Sequence, residues 1–475
     1  MQRRDFLKNT SKAILAGILA APPLFVNCGV TRRKPNFVFI LIDDLGWTDL
    51  SCFGSEVYET PNIDQLAAKS MKFTNAYAAC TVCSPTRASI LTGKYPATLN
   101  LTDWIPGHAL PHAKLQVPQF NQELPLNEIT LAEVLSEAGY VSTSIGKWHL
   151  GHESFYPEEQ GFDSNIGGTH KGQPPIYFAP YNIPTLEEGP EGEYLTDRLA
   201  DEAIQFIETN QERPFFLYWP HFAVHTPLQA KPELVDKYQQ KMKPEQAQNN
   251  PTYAAMIESV DQAVGRIVEK LQQLNLSENT IIIFMSDNGG LARVTSNEPL
   301  RAGKGSAYEG GHRTPMFIYW PQVIQPGAVG EVPVSSIDFY PTILEMAGVN
   351  VPNSEQIDGL SLVPLLTQTG ELNREALFWH YPHYHPGGAT PYSAVRQGDF
   401  KLIEYFEDNR VELYNLKSDL SETQNLAQEM PEKRDELLKL LADWRQQVKA
   451  QMPTPNPNFD PAREREWSWL RRQNR

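Results

Sequence analysis

Cysteine is scarce in this chain: four in 475 residues, at positions 28, 52, 80 and 83. Cys80 and Cys83 form one Cys-x-x-Cys pair, and no second pair exists to complete a zinc site, although a redox dithiol stays open. Positive charge is also in deficit. The formal net charge is -16, and removing residues 1–28, with four basic and one acidic side chain, leaves -19. Such a chain is a poor non-specific binder of nucleic acid and repels polyanions at long range, so an anionic ligand demands a locally cationic pocket. Long apolar runs are lacking too. Ala13 to Val26 spans about 14 residues, is broken by Pro22-Pro23, and falls short of the roughly 20 that a membrane-spanning helix needs. No internal repeat or low-complexity tract is present.

Arg3-Arg4-Asp5-Phe6-Leu7-Lys8 ahead of that run reads as a twin-arginine export signal over residues 1–28. Export places the mature chain in the periplasm or at the cell surface. Cys28 stands where a lipoprotein cysteine would follow cleavage, with Asn27 instead of the usual small residue, so a membrane tether through lipidated Cys28 is one expectation. In that compartment cysteines pair, and Cys52 with Cys80 is a candidate bridge.

Five apolar runs read as buried parallel strands: Phe37 to Ile42, Tyr140 to Ile145, Pro214 to Trp219, Thr280 to Met285 and Met316 to Trp320. Helical periodicity lies between them, over Leu131 to Ala138, Leu195 to Ile207 and Tyr253 to Leu274, with Asn275 as a stop. The alternation predicts a doubly wound α/β domain over 35–372. Past Asn373 shorter strands follow, Tyr392 to Val395, Asp399 to Phe406 and Val411 to Leu416, then a helix over Glu432 to Val448. These predict a small antiparallel sheet with a helix in a C-terminal α+β subdomain, 373–475. Its basic end, Arg463 to Arg475 with Trp467 and Trp469, reads as a docked or frayed tail.

Open parallel sheets bind ligands beyond their strand C-termini. Four strands here end in chemistry-bearing residues: Asp43-Asp44, Gly146-Lys147-Trp148-His149, His221 to Pro227 including His225, and Asp287-Asn288-Gly289. Asp43, Asp44, Asp287 and Asn288 offer oxygen donors only, which suits Ca²⁺ or Mg²⁺. Adjacent aspartates on a buried strand repel unless a cation lies between them. Each group also has an ordinary explanation. An aspartate caps a helix, Asp-Asn-Gly-Gly makes a turn, and single loop lysines and histidines are solvated or hydrogen-bonded.

Cys83-Ser84-Pro85-Thr86-Arg87, continuing to Leu91-Thr92-Gly93, resembles the signature of the sulfatase family. In that family the cysteine is converted after translation to formylglycine (3-oxoalanine), whose hydrate attacks sulfur. Gly-Lys147-Trp-His149-Leu-Gly, Gly-Lys304-Gly-Ser-Ala-Tyr-Glu-Gly-Gly and His225-Thr-Pro are similar to further sulfatase motifs. So are Thr60-Pro61-Asn62-Ile63-Asp64, Asp338 to Thr342, Val395 to Leu402 and Leu413 to Leu416, and the resemblance covers nearly the whole mature chain. It implies an alkaline-phosphatase-like α/β fold, a mixed, largely parallel sheet flanked by helices with a smaller C-terminal antiparallel sheet plus helix. It also implies one Ca²⁺ held by Asp43, Asp44, position 83, Asp287 and Asn288, and a formylglycine-generating maturation enzyme as partner.

The catalytic set it implies is Cys83, Arg87, Lys147, His149, His225, Asp287 and Lys304. Asp287 would take a proton from the attacking group, His225 as imidazolium would protonate the leaving oxygen, and His149 would act as base in the second step. A helix starting near Pro85 would bring Arg87 into its first turn beside the nucleophile. Thr169 and His170, after Gly161-Phe162, stand in for a polar residue that in the family contacts the site, with spacing that departs from the pattern. Trp104, His108 and the cluster His380, His383 and His385 lie in loops suited to a sugar pocket. Gly161-Phe-Asp-x-Asn-Ile-Gly-Gly168 is similar to sulfatases of marine polysaccharide degraders, so the expected substrate is a sulfated carbohydrate: an algal galactan, ulvan or a glycosaminoglycan fragment. A phosphodiesterase or phosphonate monoester hydrolase of the same superfamily, or a non-catalytic surface glycan-binding protein, are the alternatives.

Overall fold

In the computed structural model, which describes residues 33–464 and 466 except 109, an eight-stranded sheet carries the candidate site at one end. Its strands are β1 (Asn36–Ile42), β2 (Met71–Phe73), β3 (Val141–Ile145), β4 (Ser164–Ile166), β5 (Phe215–Pro220), β6 (Thr280–Ser286), β7 (Met316–Tyr319) and β8 (Val329–Gly330). The order across the sheet is β8-β2-β7-β6-β1-β5-β3-β4. β1 lies at the centre, parallel to both β5 and β6, with Ile40 opposite Trp219 on one side and Phe284 on the other.

Both faces of β1 are covered, which is why its sequence is a continuous apolar run rather than an alternation. Val38, Ile40 and Ile42 pack into one core, shared with Leu199 and Ala203 of α3 (Leu195–Thr209) and with Ile257, Val260 and Val264 of α4 (Pro251–Gln273). Phe37, Phe39 and Leu41 pack into the other, shared with Ile90 of α1 (Cys83–Thr92) and Leu135 of α2 (Leu131–Glu137). Thr130 closes the start of α2 as a capping box with Glu133.

Two expectations are corrected. The Met316 strand runs antiparallel to β6, not parallel. A parallel neighbour needs a crossover returning to the far end of the sheet. Residues 287–315 hold only a short helix, Glu309–His312, and remain at the C-terminal end of β6, so the chain re-enters the sheet in the opposite sense. The helix expected near Pro85 starts at Cys83, with Val82 as its extended N-cap. Pro85 costs nothing there, because the first N–H groups of a helix have no intrahelical partner.

The second sheet, β9 (Leu377–Tyr381), β10 (Tyr392–Gln397), β11 (Phe400–Tyr405) and β12 (Val411–Asn415), is antiparallel throughout, with α5 (Pro431–Gln447) against it. β9 was not foreseen. From Lys34 onward the described residues form one compact unit. Buried Lys401 of β11 pairs with Glu309 and with Glu422, tying this sheet to the segment that follows Lys304. Cys52, Cys80 and Cys83 are free thiols, so the Cys52–Cys80 bridge is absent; the two belong to different clusters, Cys52 beside the first core and Cys80 within that of the second sheet. The signal segment, Cys28 and the tail beyond Glu466 lie outside the described residues. No described helix is long and apolar enough to cross a membrane.

Candidate active site

Backbone bonds stitch the strand ends together before any side chain is considered. Asp287 N–H donates to the Ile42 carbonyl, and Asp43 N–H donates to the Ala223 carbonyl while its own carbonyl accepts from Val224. Thus the Asp287 and His225 segments flank Asp43-Asp44. Lys304 N–H donates to the Gly290 carbonyl and Gly305 N–H to that of Thr81, two residues before Cys83. Two glycines are required sterically. A Cβ on Gly146 would stand 1.9 Å from the Pro220 oxygen, and one on Gly289 would stand 1.8 Å from the Gly310 oxygen. Asp44 and His149 adopt positive φ, 60° and 62°, a conformation that tends to cluster where side chains must be aimed at a site.

Three carboxylates and three cations converge here. Arg87, fully buried, places Nε and Nη2 on Asp287 Oδ2 at 2.9 and 2.7 Å and Nη1 on the Lys147 carbonyl at 2.8 Å. Lys147 Nζ lies 2.6 Å from Asp43 Oδ2. Lys304 Nζ bridges Asp44 Oδ1 at 2.5 Å and Cys83 Sγ at 3.4 Å. Asn288 Nδ2 donates to Asp44 Oδ1 at 2.8 Å, and His225 Nε2 lies 3.6 Å from Asp44 Oδ2. Ligand atoms of Asp43, Asp44, Cys83 and His225 all fall within 4.8 Å of one another.

Titration follows from these contacts. Burial and the neighbouring Asp287 push the Asp43 carboxyl up to about 7, against the pull of Lys147. Burial acts the same way on Asp44, but Lys304, His225 and Lys147 outweigh it and hold that carboxyl below its ordinary range. Burial raises the Cys83 thiol to about 11, opposed by Lys147 and Lys304. Burial, then Lys304, lowers His225 to about 3, and burial, then Lys147, takes His149 well below its usual value. Both shifts favour the neutral imidazole, so the imidazolium expected at His225 requires added negative charge in the pocket.

The donor set fits a hard cation. Asp43 Oδ1 and Asn288 Oδ1 are buried acceptors with no hydrogen-bond partner, a costly arrangement that an oxygen-seeking divalent ion would relieve. His149 Nε2 lies 2.6 Å from the Ile105 carbonyl and therefore carries the proton, leaving buried Nδ1 as a lone pair without a partner. His225 Nδ1 donates to the Thr226 carbonyl, leaving Nε2 toward Asp44.

A cavity of about 370 Å³ opens onto this cluster, lined by Cys83, Asp44, His149, His225 and Lys304 and walled by Trp104, Ile105, Gln173, Arg293 and His385. Asp43, Arg87, Lys147, Asp287 and Asn288 lie behind these residues, fully buried. The other candidates fall elsewhere. Thr169 acts through its carbonyl, which accepts the His149 N–H, and His170 is exposed. His380 does not line the cavity: its ring bonds Ser393 and the Gln451 carbonyl. His383 does not either, since it bonds Thr102 against Phe120. Of that triplet only His385 faces the cavity, edge-on to Trp104, which in turn stacks on His108. Gln173, Arg293 and the Ile105 carbonyl were missed. No local motif marks them; the structure shows only that a Cβ at Gly172, next to Gln173, would meet His149 Cε1 at 2.5 Å.

Comparison with known proteins agrees with this geometry. Residues 35–349 match the sulfatase family model, and residues 303–451 match the C-terminal model of N-sulphoglucosamine sulphohydrolase. A sulfatase of Formosa agariphila is 33% identical, over 90% of each chain. Human N-acetylgalactosamine-6-sulfatase is 35% identical over 73% of this chain and 68% of its own. Among solved structures, Ps i-CgsB in complex with k-i-k-neocarrahexaose superposes with a TM-score of 0.74 at 30% identity, covering 92% of this chain and 97% of that one. A second, in complex with its substrate D-glucosamine-2-N,6-O-disulfate, has a TM-score of 0.71 at 25% identity over 88% and 98%. A phosphonate monoester hydrolase of Agrobacterium radiobacter shares the fold, at 21% identity and a TM-score of 0.67. With the family model spanning most of the sheet and every strand end that feeds the pocket, the chain belongs to the sulfatase family and is a sulfuric ester hydrolase.

Proposed function

We propose that this protein releases sulfate from a sulfated carbohydrate, with position 83 as formylglycine and one Ca²⁺ in the carboxylate cluster. The observation that carries the proposal is the meeting of Cys83, Asp43, Asp44 and His225 within 4.8 Å, with Lys304 on Cys83 and Asp44 together. The neighbours bound to a carrageenan hexaose and to a glucosamine disulfate support a carbohydrate ester.

Asp43, Asp44, Asp287 and Asn288 would hold the cation, whose contribution is to polarise an oxygen and neutralise charge. Formylglycine at position 83, installed by a maturation enzyme, would supply a hydrated aldehyde as nucleophile. Arg87 is committed to Asp287 and the Lys147 carbonyl, and so fixes two groups of the site at once. Lys304, on the cavity wall, presents its ammonium group to the non-bridging oxygens of the sulfuryl group, where negative charge must be stabilised, while buried Lys147 adds positive charge from behind, through Asp43. The N-terminus of α1 adds uncapped N–H groups. Asp287 is assigned as the proton acceptor for a nucleophile at position 83. His149 uses Nδ1 as the base of the second step. His225 donates from Nε2 to the leaving sugar oxygen once a bound sulfate supplies the negative charge that favours its protonation. Export to the periplasm or cell surface, with a tether at Cys28, completes the proposal.

The test is release of inorganic sulfate from a panel of sulfated mono- and oligosaccharides, by the purified protein with and without chelator. Release from at least one sugar, lost on chelation and restored by Ca²⁺, is expected. Turnover that ignores both chelator and Asp43→Ala would refute the cation.

A further inference from the structure

His225 lies on a turn outside the regular elements: β5 ends at Pro220, and residues 221–227 belong to no helix or strand. Main-chain bonds account for how that turn is held. From one side the end of β1 grips it, since Asp43 N–H donates to the Ala223 carbonyl and Val224 N–H to the Asp43 carbonyl. Within the turn, His225 N–H donates to the Phe222 carbonyl. From the other side a side chain reaches in. The Tyr177 hydroxyl lies 2.7 Å from the Phe222 carbonyl oxygen and 2.9 Å from that of His225, so one O–H is shared between them.

Tyr177 is fully buried and is itself fixed. Its N–H donates to Gln229 Oε1 at 2.9 Å, its carbonyl accepts from Leu195 N–H at the start of α3, and its ring stacks on that of Tyr194. Tyr194 in turn donates to the Gln229 carbonyl. Burial holds the Tyr177 phenol well above its ordinary value, so the hydroxyl keeps its proton and remains a donor. Tyr177 does not line the catalytic cavity, and so has no contact with a ligand bound there. What it fixes is the carbonyl next to the Cα from which the His225 ring hangs. The ring's own bonds add little from outside the turn. Nδ1 meets the Thr226 carbonyl, and Nε2 lies 3.6 Å from Asp44, beyond hydrogen-bond length.

We propose that Tyr177 is a positioning residue for the general acid: through the His225 carbonyl, its hydroxyl aims Nε2 at the leaving sugar oxygen. This rests on the role given to His225 in the sulfatase reaction proposed above. Proton donation matters in proportion to the basicity of the leaving oxygen, and is decisive for a sugar alkoxide but slight for a nitro-substituted phenolate. A misplacement of about 1 Å can cost on the order of 10²-fold in rate.

The experiment measures kcat of wild type, His225→Ala and Tyr177→Phe on N-acetylgalactosamine 6-sulfate, ι-carrageenan tetrasaccharide and the aryl ester 4-nitrocatechol sulfate. His225→Ala should lose about 10²–10⁴-fold on the sugar esters and less than about ten-fold on the aryl ester. Tyr177→Phe should repeat that split at smaller size, falling at least about ten-fold further on the sugar esters than on the aryl ester. Equal losses on both kinds of ester in Tyr177→Phe, or none, would overturn the proposal while leaving His225 in its role. An absent split in His225→Ala removes that role, and this proposal with it. If wild type turns over only one kind of ester, or neither, the crystal structure of Tyr177→Phe decides. A displaced or doubled His225 ring supports the proposal, and an unmoved ring rejects it. Should Tyr177→Phe fail to fold, Gln229→Ala, at a half-buried position and removing the acceptor of the Tyr177 N–H, takes its place with the same outcomes.

Discussion

Replacing Lys304 by methionine removes a positive charge in contact with the reacting position while keeping most of the volume of the side chain. In the structure its Nζ lies 2.5 Å from Asp44 Oδ1 and 3.4 Å from Cys83 Sγ, and both acidic and basic partners are almost fully buried. Two effects of different size follow. In the reaction, loss of one fixed group aimed at developing charge costs about 10²–10³ in kcat, or ~3–4 kcal/mol. In the fold, removing one partner of a buried pair costs about 3–5 kcal/mol, because the other charge is left uncompensated. Asn288 Nδ2 still bonds Asp44 Oδ1, so the lower end applies. A cation ligated by Asp44 would replace the lost charge. Because the lysine ammonium no longer repels a cation at Asp44, Lys304→Met should bind Ca²⁺ more tightly than wild type, and each ten-fold difference in Kd narrows the stability gap at saturating Ca²⁺ by about 1.4 kcal/mol relative to chelator. Denaturant titrations of wild type and Lys304→Met, each with chelator and with Ca²⁺, measure the difference, and sulfate release measures kcat. A stability gap identical in the two buffers, or a fall in kcat below ten-fold, would show that Lys304 faces neither the cation nor the reacting sulfur.

Asp261 on α4 accepts from the Ile63 N–H and from Asn62, and burial raises its carboxyl to about 6. A folded value above the unfolded one means that the folded state binds the proton more tightly. Its stabilising effect is therefore complete below about pH 4 and is lost as pH rises through about 6, worth ~2–3 kcal/mol in all. Asp261→Asn should flatten that part of the stability profile in denaturant titrations between pH 4 and 7, and an unaltered slope would show that Asp261 does not titrate there. The histidine triplet separates by role. His383→Ala should lower stability by ~1–3 kcal/mol, through the bond lost at Thr102, and leave KM within two-fold. His385→Ala, at the pocket wall, should raise KM, and the opposite pattern would reverse the two placements.

Much of the site was legible because its residues sit in short local motifs at strand ends. Once β1, β3, β5 and β6 are placed in one sheet, the crevice beyond their C-termini must gather Asp43, Lys147, His149, His225 and Asp287. What was illegible depends on long-range direction. Nothing local in Met316 to Tyr319 distinguishes a parallel from an antiparallel strand. That sense is set by where residues 287–315 run, and they stay at the site. His380, His383 and His385 look alike in sequence, yet the first two bond Ser393, Gln451 and Thr102 while the third meets the cavity. Alternation along β9 and the loop after it decides this, and β9 itself went unrecognised. Arg293 carries no motif, and its place on the cavity wall depends on segments more than 200 residues apart, such as those of Asp44 and Lys304.

The central claim is that position 83 is a converted residue at the heart of the carboxylate cluster. Mass spectrometry of the tryptic peptide Phe73–Arg87, from protein made alongside a formylglycine-generating enzyme, tests it most directly. Conversion predicts a mass roughly 18 Da below that of the cysteine peptide, in proportion to sulfate-releasing activity across preparations. A fully active preparation whose peptide carries only the unmodified thiol would contradict the account.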